Sequence, residues 1–332
     1  MEKINWGIIG CGDVAEVKSG PAFNNVKNSS LIAVMRRNGK KAKDFAMRHN
    51  VSKWYDNGLK LINDPDVNAI YIATPPSSHE EYTLAAISAG KPVYLEKPMA
   101  VNFQSAERMA SAAREKKVKL AIAHYRREQP YFKKIKQLLD DKAIGEVRVA
   151  QLEYLKKQLT SQELKLPGFK WRVDTAVAGG GLFHDIAPHP LDLMFYFFGK
   201  VAKASGVSAN QARVYNADDV VAGNILFQNG IVFNGIWCFN VHRQNEKDTC
   251  EIIGSEGSIR FSVFDQEKLS VTKKGKTEII AFDRLKHVQE PMITKVVEYF
   301  LGEASNPCSG DDGAEIMRIM DQFTGSNNFS NH

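Results

Sequence analysis

A glycine pattern near the N-terminus is the first group of residues with recognisable chemistry. Gly10, Gly12 and Ala15 form the pattern G-x-G-x-x-A directly after the apolar run Ile4–Ile9. In this pattern the first glycine allows a tight turn, the second lets pyrophosphate approach the backbone, and the small third residue lets a helix pack closely on a strand. A tight turn without a ligand is the alternative, but the place between a predicted strand and a predicted helix favours dinucleotide binding. The expected contacts with the dinucleotide are Gly10, Gly12, Asp13, Val14 and Ala15.

The residues after the second predicted strand indicate which dinucleotide is bound. A site for NAD usually has an acidic residue there, which binds the 2′-hydroxyl of the adenosine ribose. This chain has Arg36 and Arg37 instead, and its first acidic residue is Asp44, well inside the following helix. An arginine at this point can bind a 2′-phosphate through two parallel hydrogen bonds or stack on adenine. The sequence therefore predicts NADP in preference to NAD; the alternative is a solvated, basic start of a helix.

A lysine follows another predicted strand. Glu96, Lys97 and Pro98 come directly after the apolar run at 92–95, at the carboxyl edge where ligands bind in parallel sheets. A lysine there can donate a hydrogen bond to a carbonyl oxygen or take part in proton transfer. The proline restricts the backbone of the residue before it and so limits where the side chain points. An ordinary exposed lysine is the alternative.

Asp185 and His189 form the fourth group. They lie four residues apart in a segment that begins with three glycines at 179–181. If the segment is helical, the two side chains share a face, and a carboxylate beside an imidazole suits acid–base chemistry on a hydroxyl or carbonyl. Two metal ligands or a hydrogen-bonded histidine in the core are the alternatives. Pro188 and Pro190 could kink the helix, so the shared face depends on the structure.

Two different arrangements of secondary structure are needed to position these groups. In the first 125 residues, five short apolar runs alternate with helical patterns, which predicts parallel strands with helical crossovers. From residue 147 onward, runs rich in Val, Ile and Phe follow one another with only turns between them, which predicts a mostly antiparallel sheet. One helix at about 181–198 interrupts the approach to this sheet, and two helices near 292–301 and 313–323 end the chain.

The composition excludes several classes of protein. The chain has 332 residues, and its 44 lysines and arginines against 38 acidic residues give a net charge of +6 without a basic stripe. We therefore expect no nucleic-acid partner. Four cysteines without a C-x-x-C pair or histidines at ligand spacing predict free thiols and no metal. The N-terminus does not have the pattern of a signal peptide, and no apolar segment is long enough to span a bilayer, so we expect a cytoplasmic protein without membrane contact.

Together these motifs resemble the glucose–fructose oxidoreductase/inositol dehydrogenase (Gfo/Idh/MocA) family. The resemblance covers nearly the whole chain, and several ordered motifs at family-like spacing carry it. They are the fingerprint Gly10, Gly12 and Ala15, the segments 73–79 and 89–100, Tyr125-Arg126-Arg127, Trp171-Arg172-Val173-Asp174, and the block 179–192. The resemblance implies an α/β Rossmann domain with a doubly wound parallel sheet at 1–125. It also implies an open, mostly antiparallel α+β domain at 126–324, with a frayed tail at 325–332. The last helix is expected to pack back on the first domain.

The resemblance also implies roles for individual residues. Lys97, Asp185 and His189 match the catalytic residues of the family, with His189 as proton donor or acceptor and Lys97 as the polarising group. The remaining expected contacts with the cofactor are Thr74, Pro75, His79, Glu96, Lys97, Trp171 and Arg172, in addition to Arg36 and Arg37. The expected contacts with the substrate are Lys97, Tyr125, Arg126, Arg172, Asp185 and His189.

The predicted function is NADP-dependent hydride transfer to or from the carbonyl or alcohol carbon of a sugar-like or polyol-like molecule. A homodimer or homotetramer formed through the C-terminal sheet is expected from the resemblance. The alternatives are a non-catalytic NAD(P)-binding regulator and a reductase of a non-sugar, such as an aromatic diol, an imine or a tetrapyrrole. Fold alone does not decide among these functions.

Overall fold

The computed structural model describes residues 2–12 and 15–325, and the chain divides into two units. Unit 1 comprises Met1–Glu128 and Lys286–Met317, and unit 2 comprises Gln129–Leu285 with the residues from Arg318 onwards. Each unit contains one β-sheet. Within the described residues, no helix is both long and apolar enough to cross a lipid bilayer.

The sheet of unit 1 has six parallel strands. In chain order they are β1 (Ile4–Ile9), β2 (Ser29–Met35), β3 (Lys53–Tyr55), β4 (Ala69–Ile72), β5 (Val93–Leu95) and β6 (Leu120–Ile122). Their order across the sheet is β3-β2-β1-β4-β5-β6. Every residue of β4, β5 and β6 is buried, as expected for parallel strands covered on both faces. Because the strand order reverses between β1 and β4, the carboxyl ends of these neighbouring strands form the edge where such sheets bind ligands.

Five helices connect these strands: α1 (Gly20–Asn25), α2 (Gly39–Arg48), α3 (Gly58–Ile62), α4 (His79–Ser88) and α5 (Phe103–Lys116). A turn of wider helix at Ala15–Ser19 precedes α1. An asparagine side chain accepts a backbone N–H at the start of three of them, and such caps favour a helix start over continued loop. These asparagines are Asn38, Asn57 and Asn102.

Unit 2 is built around a sheet of eight strands. In chain order they are β7 (Val147–Lys157), β8 (Val201–Ala209), β9 (Val220–Phe227), β10 (Val232–Val241), β11 (Lys247–Gly254), β12 (Gly257–Phe261), β13 (Lys268–Lys273) and β14 (Lys276–Ala281). The order is β14-β13-β12-β11-β7-β10-β9-β8, and only β7 and β10 pair in parallel. The helices of this part of the chain are α6 (Pro130–Asp140), α7 (Pro167–Lys170), α8 (Thr175–Ala178), α9 (Gly181–Ile186) and α10 (Pro188–Phe198). The two sheets confirm the predicted fold class.

One face of the unit 2 sheet is buried and the other is open. On β10, Phe233 and Trp237 are fully buried, whereas Ile236, whose side chain points to the opposite face of the sheet, is exposed. Gly206 and Gly223 pair across β8 and β9. A Cβ on Gly223 would lie 2.3 Å from the ring of Phe323, and a Cβ on Gly206 would lie 2.7 Å from its Cα. The two glycines therefore make room for the ring and the backbone of this residue of the C-terminal helix.

The last two helices are α11 (Glu290–Leu301) and α12 (Gly310–Phe323). From the sequence, residues 126–324 were assigned to the second domain, with a last helix that packs back. In the structure, Lys286–Met317, which includes α11 and the first part of α12, groups with unit 1. Apolar contact gives the physical reason, since Phe300 of α11 packs on the buried Trp6 of β1 with ring centroids 5.6 Å apart.

Candidate active site

The turn after β1 has the geometry of a phosphate-binding loop. Gly10 has φ of +95°, and a Cβ there would lie 2.8 Å from the backbone of Ala73 and Thr74, so only glycine fits. By contrast, a Cβ on Gly12 would meet nothing within 4 Å, which leaves open space for a ligand to approach the backbone. Ala15 is fully buried at the start of the following helix. The predicted contacts Asp13 and Val14 lie outside the described residues.

Arg36 and Arg37 follow β2 at the same edge of the sheet. The backbone N–H of Arg36 donates to Tyr55 O at 3.2 Å, so this position is fixed by β3. Arg36 is half-buried and Arg37 exposed. Neither guanidinium forms a hydrogen bond or ion pair with residues 2–12 or 15–325. The helix α2 begins right after them, with Asn38 as its N-cap. Both guanidinium groups therefore lie beside a helix N-terminus, where an anionic ligand is favoured.

The loops after β4 and β5 are tied to each other by His79. Its Nε2 lies 2.7 Å from Thr74 O, and its Nδ1 lies 3.1 Å from Pro98 O. Burial lowers the pKa of His79, which favours the neutral ring. A neutral imidazole has a single N–H and both partners are carbonyl oxygens, so the ring donates a hydrogen bond to one loop and packs against the other. The Oγ1 of Thr74 is buried and has no hydrogen-bond partner among the described residues, which leaves this hydroxyl for a ligand. Pro75 begins the short turn that leads into α4.

Lys97 stands out in its own segment. Of residues 93–100, all of which are described, Lys97 alone is not buried. The preceding residue, Glu96, is buried, and its carboxylate accepts hydrogen bonds from Tyr71 and Gln289. The peptide bond between Lys97 and Pro98 is cis. Lys97 is therefore the one partly exposed residue of an otherwise buried segment at the ligand edge of the sheet.

In unit 2, the structure brings Arg172 and Asp185 together. Nε of Arg172 donates to Oδ2 of Asp185 at 2.8 Å, Nη1 donates to Gly168 O, and the guanidinium lies 4.6 Å from the ring centroid of Trp171. The carboxylate, a backbone carbonyl and an aromatic face hold the guanidinium on three sides. Arg172 is thereby positioned to orient Asp185.

Asp185 and His189 do not lie on one uninterrupted helix. Asp185 belongs to α9 and His189 to α10, with Ala187 between them, because Pro188 cannot continue the hydrogen bonding of α9. The ring of His189 is buried and meets Phe264 edge-on, with centroids 5.6 Å apart. The neighbouring His184 is also buried. Gly180 has to be a glycine, since a Cβ there would lie 2.0 Å from Nδ1 of His184.

Phe264 was not predicted from the sequence, although its position is well defined. Asp248 of β11 accepts the backbone N–H groups of Val263 at 3.1 Å and Phe264 at 2.7 Å, and the Phe264 ring packs on Tyr154 with centroids 5.0 Å apart. A Ser-Val-Phe-Asp turn has no distinctive signal in the sequence. The aspartate that anchors it lies 14 to 17 residues earlier, on another strand.

The predicted substrate contacts Tyr125 and Arg126 are both buried in a turn at Tyr125–Glu128 of unit 1. The Arg126 guanidinium lies 5.5 Å from the centroid of the Tyr125 ring. This pair forms a packed cation–aromatic contact within the unit. A role of either residue in substrate binding stays a prediction.

Comparison with known proteins places the chain in a family. Residues 4–124 match the family described as "Oxidoreductase family, NAD-binding Rossmann fold", and residues 132–260 match the "GFO/IDH/MocA C-terminal domain". The chain is 48% identical to "Oxidoreductase P35" of Formosa agariphila over 98% of this chain and 99% of that protein. It is 29% identical to "1,5-anhydro-D-fructose reductase" of Ensifer adhaerens over 76% of this chain and 74% of that protein.

A solved structure has the same fold. The structure of levoglucosan dehydrogenase in complex with NADH and levoglucosan superposes with a TM-score of 0.88 at 23% identity, covering 97% of this chain and 96% of that one. The two family matches together span most of the chain, and the 48% identical relative is matched almost from end to end. These findings confirm the resemblance that the motifs suggested. The chain belongs to the Gfo/Idh/MocA family of oxidoreductases, with an NAD-binding Rossmann domain and the C-terminal domain of that family.

Proposed function

We propose that the protein is an NADP-dependent oxidoreductase that moves a hydride to or from the carbonyl or alcohol carbon of a sugar-like or polyol-like molecule. The observation that carries the proposal is the placement of Lys97. Lys97 is the one residue of 93–100 that is not buried, and it lies on the sheet edge that also carries the Gly10 turn. The relatives named as a 1,5-anhydro-D-fructose reductase and a levoglucosan dehydrogenase support a sugar-like substrate.

The residues of unit 1 fit a nicotinamide dinucleotide. The open space over Gly12, the unpartnered Oγ1 of Thr74, and the free guanidinium groups of Arg36 and Arg37 match pyrophosphate, ribose and phosphate groups in chemistry. When bound, NADP supplies or accepts the hydride at C4 of its nicotinamide. The residues of the chain then have to bind the substrate and deal with its oxygen and proton.

Three residues are proposed to do this chemistry. Lys97 donates a hydrogen bond to the carbonyl oxygen and so stabilises the negative charge that develops there. His189 gives that oxygen a proton in reduction and removes a proton from the hydroxyl in oxidation. Asp185, held by Arg172, accepts a hydrogen bond from a substrate hydroxyl. Trp171 completes this group, since it is the aromatic face on which Arg172 rests.

The proposal is tested by measuring oxidation of NADPH and NADH in parallel against ketoses, aldoses, anhydrosugars, inososes and, as non-sugars, aromatic ketones. We expect turnover with NADPH on one class of sugar-like carbonyl. Turnover only on the non-sugars would contradict the substrate class. Cofactor binding without turnover of any compound would instead favour a regulator that binds the dinucleotide.

The preference for NADP depends on Arg36 and Arg37. Replacing both with alanine is expected to raise KM for NADPH by about 10- to 100-fold and to leave KM for NADH within about threefold, because a hydrogen bond to a charged group contributes roughly 1.5–3 kcal/mol. Steady-state kinetics with each cofactor measure this. Lys43→Ala, which removes an exposed cation from α2, the helix that follows the two arginines, is the control and should change neither value. Wild-type protein that binds NADH as tightly as NADPH would contradict the NADP preference.

We also propose that two copies pair through the open face of the unit 2 sheet. The strand register places Val207, Leu226, Val232 and Ile236 on one face, and all four are exposed. Uncharged residues lie between them, namely Ser205, Ala222, Asn224 and Asn234, and Glu153 of β7 borders Ile236 on the same face. An apolar and amide-rich face of this kind suits a two-fold interface with a second copy.

A charge placed in this face should prevent pairing. Ile236→Lys is expected to shift the protein to a monomer in sedimentation experiments without a loss of helix or strand content, since the side chain points away from the core. Lys276→Glu, on the edge strand β14, is the charge-changing control. A wild-type protein that is monomeric at micromolar concentration would contradict the proposed pairing.

A further inference from the structure

Glu96 is a buried carboxylate with three hydrogen bonds. Its Oε1 accepts from the hydroxyl of Tyr71 at 2.6 Å and from Nε2 of Gln289 at 2.7 Å. Its Oε2 accepts from the backbone N–H of Lys97 at 3.2 Å. Burying a carboxylate is unfavourable unless its oxygens find donors, so these three donors determine where Glu96 lies. One of them is the backbone of Lys97 itself.

Gln289 comes from a distant part of the chain, 193 residues after Glu96. Its side chain is fully buried, and its backbone carbonyl accepts a hydrogen bond from the N–H of Ile293 in the first turn of α11. The next residue, Glu290, accepts a hydrogen bond from Asn25 Nδ2 at 2.9 Å. The amide that reaches Glu96 therefore stands at the fixed start of a helix rather than on a loose segment.

Tyr71 is held in a different way. It lies on the central strand β4, and its ring stacks on Tyr94 of the neighbouring strand with centroids 5.2 Å apart and planes at 25°. Phe23 packs on its other side, with centroids 5.1 Å apart. The hydroxyl of Tyr71 is thus as rigidly placed as the sheet. Two donors from a strand and a helix start converge on the same carboxylate oxygen.

We propose that Tyr71 and Gln289 are positioning residues that act on Lys97 through Glu96. They fix the carboxylate, the carboxylate fixes the backbone N–H of Lys97, and the amine of Lys97 is thereby aimed at the substrate. The inference rests on the proposed function, because it assumes that Lys97 touches the reacting oxygen. It adds two residues that no motif of the chain contains.

Kinetics of two variants test the inference. Tyr71→Phe removes a single oxygen, and Gln289→Leu removes the amide donor. Each is expected to lower kcat by about tenfold or more, since a misplaced catalytic group loses rate steeply, while KM for the cofactor changes by less than about threefold. Ser29→Ala is the matched control, because it removes two buried hydrogen bonds from the core of the same unit. It should lower Tm to a similar degree and leave kcat unchanged.

A third variant separates positioning from packing. Gln289→Glu keeps the shape of the side chain but places a second carboxylate against Glu96, so the hydrogen bond returns only when the pair shares a proton. The ratio of its kcat to that of the wild type should therefore rise as the pH is lowered, because two carboxyl groups in contact take up a shared proton more readily than they both stay ionised. A lost packing contact would give a ratio that does not change with pH.

Other titratable groups near Glu96 do not account for this expected pH dependence of the kcat ratio. They are Tyr71, Tyr94 and His79, in addition to Lys97. Burial raises the pKa of both tyrosines well above their ordinary value, so they stay protonated. Burial lowers the pKa of His79, and taking the ratio to the wild type cancels the titration that both proteins share.

The outcomes distinguish this inference from the proposed function. If Lys97→Met retains full turnover, the role of Lys97 itself is wrong. If Lys97→Met is inactive while folded Tyr71→Phe and Gln289→Leu proteins both match the wild type, the inference fails and the proposed function stands. If Gln289→Leu does not fold, Tyr71→Phe and the pH response of Gln289→Glu decide the matter, and a flat response in Gln289→Glu with normal kcat in Tyr71→Phe overturns the inference.

Discussion

Replacing Lys97 with methionine is expected to lower kcat by roughly 10²–10⁴-fold, the range that a positioned acid–base group contributes. Methionine keeps most of the aliphatic stem and removes the amine, so the loop after β5 should keep its shape. That loop is held by His79, Glu96 and the buried residues around Lys97. Stability and affinity for NADPH should therefore stay close to the wild-type values.

The chain offers a matched control for this variant. Lys91 precedes β5, whereas Lys97 follows it, so the two lysines lie at opposite ends of one strand. Nζ of Lys91 donates to Asp64 O at 2.7 Å, and Lys91→Met should cost about 1 kcal/mol of stability through that lost bond while kcat is unchanged. Steady-state kinetics, cofactor titration and thermal unfolding of both variants make the comparison. Equal kcat in the two variants would remove Lys97 from the mechanism.

The parts of the site that could be predicted from the sequence are those in which local spacing carries the chemistry. The turn at Gly10 and Gly12 was predicted because a fixed spacing of glycines follows an apolar strand. The structure explains this glycine, because Gly10 has a φ of +95°, which other residues rarely adopt. The sheets were predicted for a similar reason, because the apolar residues of a strand follow a different spacing along the sequence from those of a helix. The short strand β3 and the short helix α3 were missed, because three and five residues are too few to show a period.

The supporting residues could not be predicted, because their partners are far away in the sequence. Gln289 contacts Glu96 although the two are 193 residues apart in the sequence, and Phe264 contacts His189 although they are 75 residues apart. Neither residue belongs to a periodic pattern or a motif. Buried amides and aromatic rings look alike in a sequence whether they support a catalytic group or fill a core. Only the fold shows which side chain each of them contacts.

The break between α9 and α10 shows a case where the sequence left two outcomes open. The spacing of Asp185 and His189 suggests one helical face, while Pro188 suggests a break. The structure has two helices separated only by Ala187, whose backbone is itself helical, with φ of −61° and ψ of −30°. Asp185 contacts Arg172, and His189 contacts Phe264. The orientation of this pair therefore depends on tertiary contacts, and those contacts can be tested.

Arg172 is the more accessible of these contacts to experiment. Arg172→Met is expected to lower kcat/KM for the carbonyl substrate by about 100-fold, or about 2.7 kcal/mol, because Asp185 loses the charged donor that orients it. Arg172→Lys should recover only part of this loss. A lysine carries the charge but cannot bind Asp185 and Gly168 O at once while lying flat on Trp171, as the planar guanidinium does. Lys170→Met, which removes an exposed cation two residues earlier, should have wild-type kinetics.

A double-mutant cycle decides whether Arg172 acts through Asp185. Asp185→Asn alone should also reduce kcat/KM, and the double variant should be little worse than the more damaged single variant, since the second change removes a partner that is already lost. A coupling energy of about 1–3 kcal/mol is expected for residues in one hydrogen-bonded network. Additive losses would mean that Arg172 contacts the substrate or the cofactor on its own, and full activity of Arg172→Lys would mean that charge alone is sufficient. Only coupled losses, with incomplete rescue by lysine, fit an arginine whose planar shape aims the carboxylate.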